Sequence, residues 1–141
     1  MKEEKLLFRR QFLAGRKPAD VPSDWGVVRF NDLYVHFHPD LSASVASGKS
    51  EKILILGEIF DPRNIDADNQ TIAQTLATGT SDFDDFESNT KPLGGRWVCF
   101  VAIGDELRIY PDAGATHTIF YTYSTTPEKD LWLGTQPGLF A

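Results

Sequence analysis

Hydrophobic residues occur in short runs that are separated by turn residues along most of the chain. Residues 52–57 and 97–102 contain continuous apolar runs, and this pattern predicts strands that are buried on both faces. Residues 25–30 and 33–37 predict a β-hairpin, because Asn31 and Asp32 between them are typical of a tight turn. Further strands are predicted at residues 107–110, 118–123 and 131–134, and residues 6–13 favour a first strand over a short helix.

Between the two continuous apolar runs, hydrophobic residues recur at the spacing of a helix. Ile72 and Leu76 predict a helix over residues 69–78, with Asp68 or Asn69 as its N-cap. A second short helix is predicted to begin near Ser81, with Phe83 and Phe86 on one face. The stretches 15–23 and 41–49 are rich in small and polar residues and predict loops, the second of them a flexible tip. Strands grouped around segregated helices predict an α+β layered domain.

Composition narrows the class of protein. An even composition over 141 residues fits one domain spanning 1–141, with 41% hydrophobic residues for a core. The net charge of −6 gives no electrostatic reason to bind nucleic acid or an anionic membrane. The lone Cys99 cannot form an internal disulfide, which fits the cytoplasm. No apolar run approaches the ~20 residues of a membrane span, and Arg9 and Arg10 interrupt any signal-peptide pattern.

Three segments, in this order, resemble the amidotransferase domain of asparagine synthetases. Residues 56–61 read Leu-Gly-Glu-Ile-Phe-Asp and resemble that family's Asn-Gly-Glu-Ile-Tyr-Asn. Residues 93–100 resemble its Leu-x-Gly-x-Phe-Ala-Phe strand, and residues 111–121 are similar to its Arg-Asp-x-x-Gly-x-x-Pro-Leu-Tyr-Tyr segment. Residues 133–139 resemble the segment that closes the domain, so the resemblance covers residues 25–141.

The resemblance implies a class II glutamine amidotransferase domain with the N-terminal-nucleophile hydrolase fold, in which two mainly antiparallel β-sheets stack between helical layers. The closest likeness is to the nucleophile-lacking branch of asparagine-synthetase-like proteins. The residues that would line a vestigial glutamine pocket are Leu56, Gly57, Glu58 and Asp112.

The family's catalytic groups are replaced in this sequence. Its members use a cysteine as the mature first residue, whose α-amine is the general base. Here Lys2 follows Met1, and Cys99 lies in an apolar strand where a cysteine is expected to pack in the core. Leu56 stands where the family has its oxyanion asparagine, a loss of about 3–4 kcal/mol of transition-state stabilisation. Gly57 still offers a backbone N–H, and Pro111 replaces the family's arginine, so no catalytic residue and no cofactor is expected.

The three histidines of the sequence are candidate ligand or pocket residues. His36 and His38 are predicted to share one strand face and, with Asp40, suggest a metal site, but a polar outer strand face accounts for them without a third and fourth ligand. His117 is near Asp112 in sequence and is either a remnant pocket residue or, as favoured here, a surface loop residue.

Two acidic groups resemble cation sites but lack the spacing of a calcium loop. The group around Asp82 is predicted to be an acidic first helical turn, and the group around Asp61 is predicted to be a solvated loop, so no metal is expected. The groups are Asp82, Asp84, Asp85 and Glu87, and Asp61, Asp66 and Asp68.

These patterns predict a non-catalytic amidotransferase-like domain that acts as an interaction or regulatory part of an ATP-dependent, amide-forming synthetase of the asparagine synthetase kind. The expected partner is the ATP-binding synthetase domain or subunit, and a homodimer is left open. Two alternatives are an active glutaminase subunit with an unrecognised nucleophile and a small-molecule binding module that uses the vestigial glutamine pocket.

Overall fold

The computed structural model describes residues 11–112, 120–123 and 131–134. The described residues form nine strands and two helices, which belong to two compact units, Met1–Leu41 with Thr118–Ala141 and Ser42–His117. The strands are β1 (Phe12–Gly15), β2 (Gly26–Phe30), β3 (Leu33–Phe37), β4 (Ala43–Ser47), β5 (Glu51–Phe60), β6 (Gly94–Ile103), β7 (Glu106–Pro111), β8 (Phe120–Tyr123) and β9 (Leu131–Gly134). The helices are α1 (Asn69–Gly79) and α2 (Phe83–Thr90).

The first unit contains a five-stranded antiparallel sheet in the order β2-β3-β1-β9-β8. The predicted hairpin is confirmed, and Asn31 takes a positive φ of 53° in its two-residue turn. The predicted first strand is also confirmed in part, since β1 begins at Phe12 and residues 1–10 lie outside the described residues. In the strand predicted at 118–123, β8 begins at Phe120.

The second unit contains a four-stranded antiparallel sheet in the order β4-β5-β6-β7. Strands β5 and β6 pair over ten residues each, and both faces of their central parts are buried, as the continuous apolar runs predicted. One face joins the helices in a single core, whereas Leu54, Leu56, Val98 and Phe100 are buried on the other. The core against the helices includes Ile53, Ile55, Ile59, Trp97, Cys99 and Val101 from the sheet and Ile72, Ala73, Leu76, Ala77 and Phe86 from the helices.

The predicted flexible loop at residues 41–49 is wrong, because residues 43–47 form strand β4 at the edge of this sheet. Ser44 and Ala46 are its buried positions, and they lie opposite Ile55 and Ile53 on the helix-facing side. Small side chains at these positions leave room for α1, which packs against β4. The short polar side chains that suggested a loop are therefore the consequence of a helix above the strand.

Both helices begin at side-chain caps. Asp68 is the N-cap of α1, where its carboxylate accepts from the backbone N–H of Thr71 at 2.8 Å. Asp82 caps α2 in the same way, accepting from Asp85 N–H at 2.7 Å. Asp84 and Asp85 then occupy the first turn, so the predicted acidic helix start is confirmed.

Two antiparallel sheets and two helices confirm the predicted α+β class. None of the helices within the described ranges is long and apolar enough to cross a membrane.

Candidate functional site

Four residues were predicted to line a vestigial pocket, and all four lie at one end of the sheet in the second unit. Gly57 is paired with Trp97 in the β5–β6 register. Asp112 follows β7; its N–H donates to the Trp97 carbonyl at 2.9 Å, and its carboxylate accepts from Trp97 N–H at 3.1 Å. Gly57, Trp97 and Asp112 therefore form one row, with about 10 Å between its outer members at the usual strand spacing.

Leu56 is part of the hydrophobic interior. Its side chain is 1% exposed, and the residue lies between Ala43 of β4 and Val98 of β6 in the sheet. An isobutyl group in this place has no atom that can donate a hydrogen bond. Leu56, for which the resemblance implies an oxyanion position, therefore acts in packing.

The backbone N–H of Gly57 is already used, because it donates to the carbonyl oxygen of Ser42 at 2.8 Å. The expectation that Gly57 still offers this N–H to a ligand is therefore wrong. Ser42 continues the pairing of β4 with β5 by one residue, which the sequence pattern for a loop did not indicate. Gly57 has φ +109°, and a Cβ at this position would collide with the carbonyl oxygen of Arg96.

Glu58 is exposed, and two side chains hold its carboxylate. Its Oε1 accepts from Ser42 Oγ at 2.8 Å, and its Oε2 accepts from Asn69 Nδ2 at 3.1 Å. Arg96 lies directly across the sheet in the β5–β6 register, so opposite charges face each other at this step. Two of the four predicted residues, Glu58 and Asp112, therefore carry carboxylates with hydrogen bonds to other groups of the fold.

Beyond the end of β4, the side-chain amide of Asn69 makes the hydrogen bonds to β5 that a neighbouring strand would otherwise make. Its Oδ1 accepts from the backbone N–H of Ile59 at 3.1 Å, and its Nδ2 donates to the carbonyl of Gly57 at 3.3 Å. These two bonds satisfy backbone groups of β5 that β4 no longer reaches. The first residue of α1 thus ties the helix to the segment that carries the family resemblance.

Cys99 lies in the core between the sheet and the helices, as predicted. Its thiol is 1% exposed, and burial raises its pKa well above the ordinary value. A thiol of this kind has neither the access nor the thiolate character of a nucleophile.

His36 and His38 are buried, being 6% and 2% exposed, so the predicted polar outer strand face is wrong. Strand β3 ends at Phe37, and His38 continues its pairing with β1 by one residue, because its N–H donates to the Gln11 carbonyl at 3.0 Å. His36 Nε2 accepts from Ala19 N–H at 3.0 Å, and His38 Nδ1 accepts from Asp40 N–H at 3.0 Å. Each ring thus fixes a neighbouring loop, and burial lowers the pKa of His36.

The described parts of the chain include both acidic groups and two of the three histidines. Within those parts of the chain, no three His, Cys, Asp or Glu side chains come close enough to hold an ion. Asp61 forms an ion pair with Arg63, whose side-chain and backbone hydrogen bonds lower the pKa of Asp61. His117 lies outside the described residues.

The sequence patterns did not indicate that Ser42, Asn69 and Trp97 form hydrogen bonds with residues of the predicted pocket. Asn69 is one of the two N-cap candidates in the sequence. An amide side chain next to a helix start is too common to predict a contact with β5. Comparison of the chain with models of known protein families and with curated proteins finds no match.

Proposed function

We propose that this chain is a degenerate glutamine amidotransferase domain that serves as an interaction or regulatory part of an asparagine-synthetase-like, ATP-dependent amide-forming enzyme. The observation that carries the proposal is the Gly57–Ser42 hydrogen bond beside the buried Leu56. Of the two oxyanion donors that the resemblance implies, the asparagine is replaced by Leu56, and the N–H of Gly57 already donates to Ser42.

The retained scaffold supports a role in assembly rather than in chemistry. Cys99, the one cysteine of the sequence, is a core residue and does not supply the family's nucleophile. The proposal includes the N-terminal-nucleophile hydrolase fold of that family, in which two mainly antiparallel sheets stack between helical layers. The two antiparallel sheets, and the helices packed on the second, support it. The partner would be the synthetase domain or subunit that binds ATP.

A nitrogen-source assay tests the proposal. The chain alone is incubated with glutamine, and the released ammonia is measured. We expect the same rate of ammonia release as in buffer without protein. A synthetase partner, identified from the reading frame beyond the codon for Ala141 or by co-purification, is then assayed with and without the chain. We expect it to use ammonia but not glutamine, and to lose activity or solubility when the chain is withheld. Glutamine turnover by the chain alone would overturn the proposal.

The glutamine-sensor alternative is separated by a thermal-shift measurement. A ligand at 100 times its Kd stabilises a protein by about 2.7 kcal/mol, which is easily seen as a higher Tm. We expect no shift with glutamine, because Gly57 N–H and both Glu58 oxygens already have partners. A concentration-dependent rise in Tm would favour the sensor instead.

A further inference from the structure

A groove of about 300 Å³ lies on the helical side of the second unit, away from the four residues of the vestigial pocket. One wall is α1, whose Thr71, Thr75 and Gly79 follow one another along the groove at intervals of four residues. Eight residues of helix rise by about 12 Å, which is the length of three to four extended residues. The groove has the volume at which small-ligand pockets begin.

The groove has an apolar part. Ile72, Leu76 and Leu93 line it, and each is also a member of the hydrophobic core between the sheet and the helices. Their side chains are 4–6% exposed, so they are held rigidly by the core behind them. An aliphatic group of a ligand would lose contact with water on these residues without any rearrangement of the fold.

The groove also carries an oriented cation. Asp61 lines it and accepts from Arg63 Nε at 3.0 Å, from Arg63 Nη2 at 3.1 Å and from Arg63 N–H at 2.9 Å. Those bonds use two of the five guanidinium N–H groups, and no other described residue accepts from the rest. Arg63 lines the same groove with 65% of its side chain exposed, so a fork of N–H donors is oriented and open to a carboxylate.

Acceptors complete the lining. Asn89 uses its Nδ2 to donate to the Gly79 carbonyl at 3.1 Å, which leaves its amide oxygen for a ligand N–H. Thr75 donates its hydroxyl to the Thr71 carbonyl at 2.9 Å, which leaves the lone pairs of Oγ1. The groove therefore combines a carboxylate receptor, an aliphatic surface and acceptors for amide N–H groups.

We propose that this groove binds the carboxyl end of a peptide chain whose last residue is aliphatic. The terminal carboxylate pairs with the open fork of Arg63, the last side chain lies on Ile72, Leu76 and Leu93, and the preceding amide N–H groups donate to Asn89 and Thr75. A free N-acylated aliphatic amino acid has the same chemistry, but it is shorter than the ~12 Å over which α1 lines the groove. The proposal does not depend on an amidotransferase ancestry, and it stands or falls separately from it.

Amide chemical shifts of the 15N-labelled chain, recorded during titration, test the proposal. The probes are N-acetyl-Ala-Ala-Leu with a free carboxylate, the same peptide as its C-terminal amide, and N-acetyl-leucine. We expect the acid to shift residues 63, 72–76 and 89 with a Kd in the millimolar range, and the amide to bind at least about tenfold more weakly. Equal binding by acid and amide, or shifts only outside the groove, would overturn the proposal. If N-acetyl-leucine binds as tightly as the peptide acid, the groove belongs to free acylated amino acids and the peptide assignment is wrong.

Two matched arginine variants assign the carboxylate contact. Arg63→Gln removes the fork, and we expect at least about a tenfold loss of affinity for the acid and no change for the amide. Arg108→Gln is the control, since Arg108 also pairs with an acid two residues earlier, Glu106, but does not line the groove. Equal affinity of Arg63→Gln and the unchanged chain for the acid would contradict the proposed contact. The acid and amide comparison in the unchanged chain decides the matter without any variant.

Discussion

The backbone N–H of Gly57 donates to the carbonyl oxygen of Ser42 at 2.8 Å, and this bond extends β4 along β5 by one residue. A developing oxyanion at this point would have to displace the Ser42 carbonyl from the sheet. In working oxyanion sites the donors are aimed at empty space, where charge develops in the transition state. The end of β5 in this protein is instead a closed piece of sheet.

An asparagine at position 56, as the amidotransferase resemblance implies, is expected to damage the fold without creating activity. Leu56 is 1% exposed, so Leu56→Asn removes aliphatic packing and buries an amide at a cost of about 3–5 kcal/mol. Urea denaturation measures the loss, and ammonia release from glutamine should stay at background. Leu56→Met is the control and should cost less than about 1.5 kcal/mol. A stable Leu56→Asn variant would show that this side chain can reach solvent or a polar partner.

Gly57 and Gly95 are expected to be intolerant of any side chain. They have φ of +109° and +111°, and a Cβ on each would collide with a carbonyl of the opposite strand. Gly57→Ala or Gly95→Ala should therefore lower the free energy of unfolding by about 3 kcal/mol or more. Gly79→Ala is the control, since it ends a helix with space around it and should be neutral or stabilising by up to about 1 kcal/mol. Similar losses in all three variants would contradict this explanation.

Strands β5 and β6 could be predicted because their central residues are buried on both faces, which requires continuous apolar sequence. Strand β4 could not, since its buried residues are Ser44 and Ala46. Their small size reflects the closeness of α1, which is a tertiary contact and leaves no period-two hydrophobic signal. The partner of the Gly57 N–H could not be predicted for the same reason, because Ser42 extends the strand that the sequence pattern did not indicate.

The histidines illustrate a second limit. Alternation along a strand predicts which side chains share a face, but it does not predict whether loops cover that face. The burial of His36 and His38, and the loop amides of Ala19 and Asp40 that they accept from, depend on how loops fold back on the sheet. Local sequence carries no information about either contact.

Two glutamines of α1 are expected to stabilise the sheet by covering its edge. Gln70 Nε2 donates to the carbonyl of Val45 at 2.8 Å, and Gln74 Nε2 donates to that of Ser47 at 3.2 Å. Replacing both by alanine should cost about 1–2 kcal/mol, somewhat offset by the helix propensity of alanine. Denaturant unfolding measures this, and light scattering against concentration should show more self-association, because open strand edges pair with other chains. Thr75→Ala on the same helix is the control and should change neither.

Cys99 is expected to react with thiol reagents only when the unit opens. The side chain is 1% exposed and burial raises its pKa, so neither access nor thiolate is present in the native state. Labelling by a thiol-specific reagent should be slow in buffer and should accelerate with denaturant in parallel with unfolding. Fast labelling of the native chain would mean that the core around β6 opens locally, and it would revive the question of a nucleophile at this position.

Protonation of His36 is expected to destabilise the fold in a defined pH window. Burial lowers its native pKa below the ordinary value of 6.5, and Nε2 accepts from Ala19 N–H, which a ring protonated at Nε2 cannot do. In the unfolded chain the ring takes up a proton near pH 6.5, whereas the native ring does so only at lower pH. The stabilisation from His36 is thus complete above pH 6.5 and is lost as pH falls from there through the native pKa, with a slope of at most about 1.4 kcal/mol per pH unit. His36→Gln keeps an acceptor for Ala19 and removes the titration. Denaturant unfolding between about pH 7 and about pH 5 should therefore show a free energy of unfolding that changes less with pH in this variant. An unchanged profile in His36→Gln would assign the pH dependence to another group.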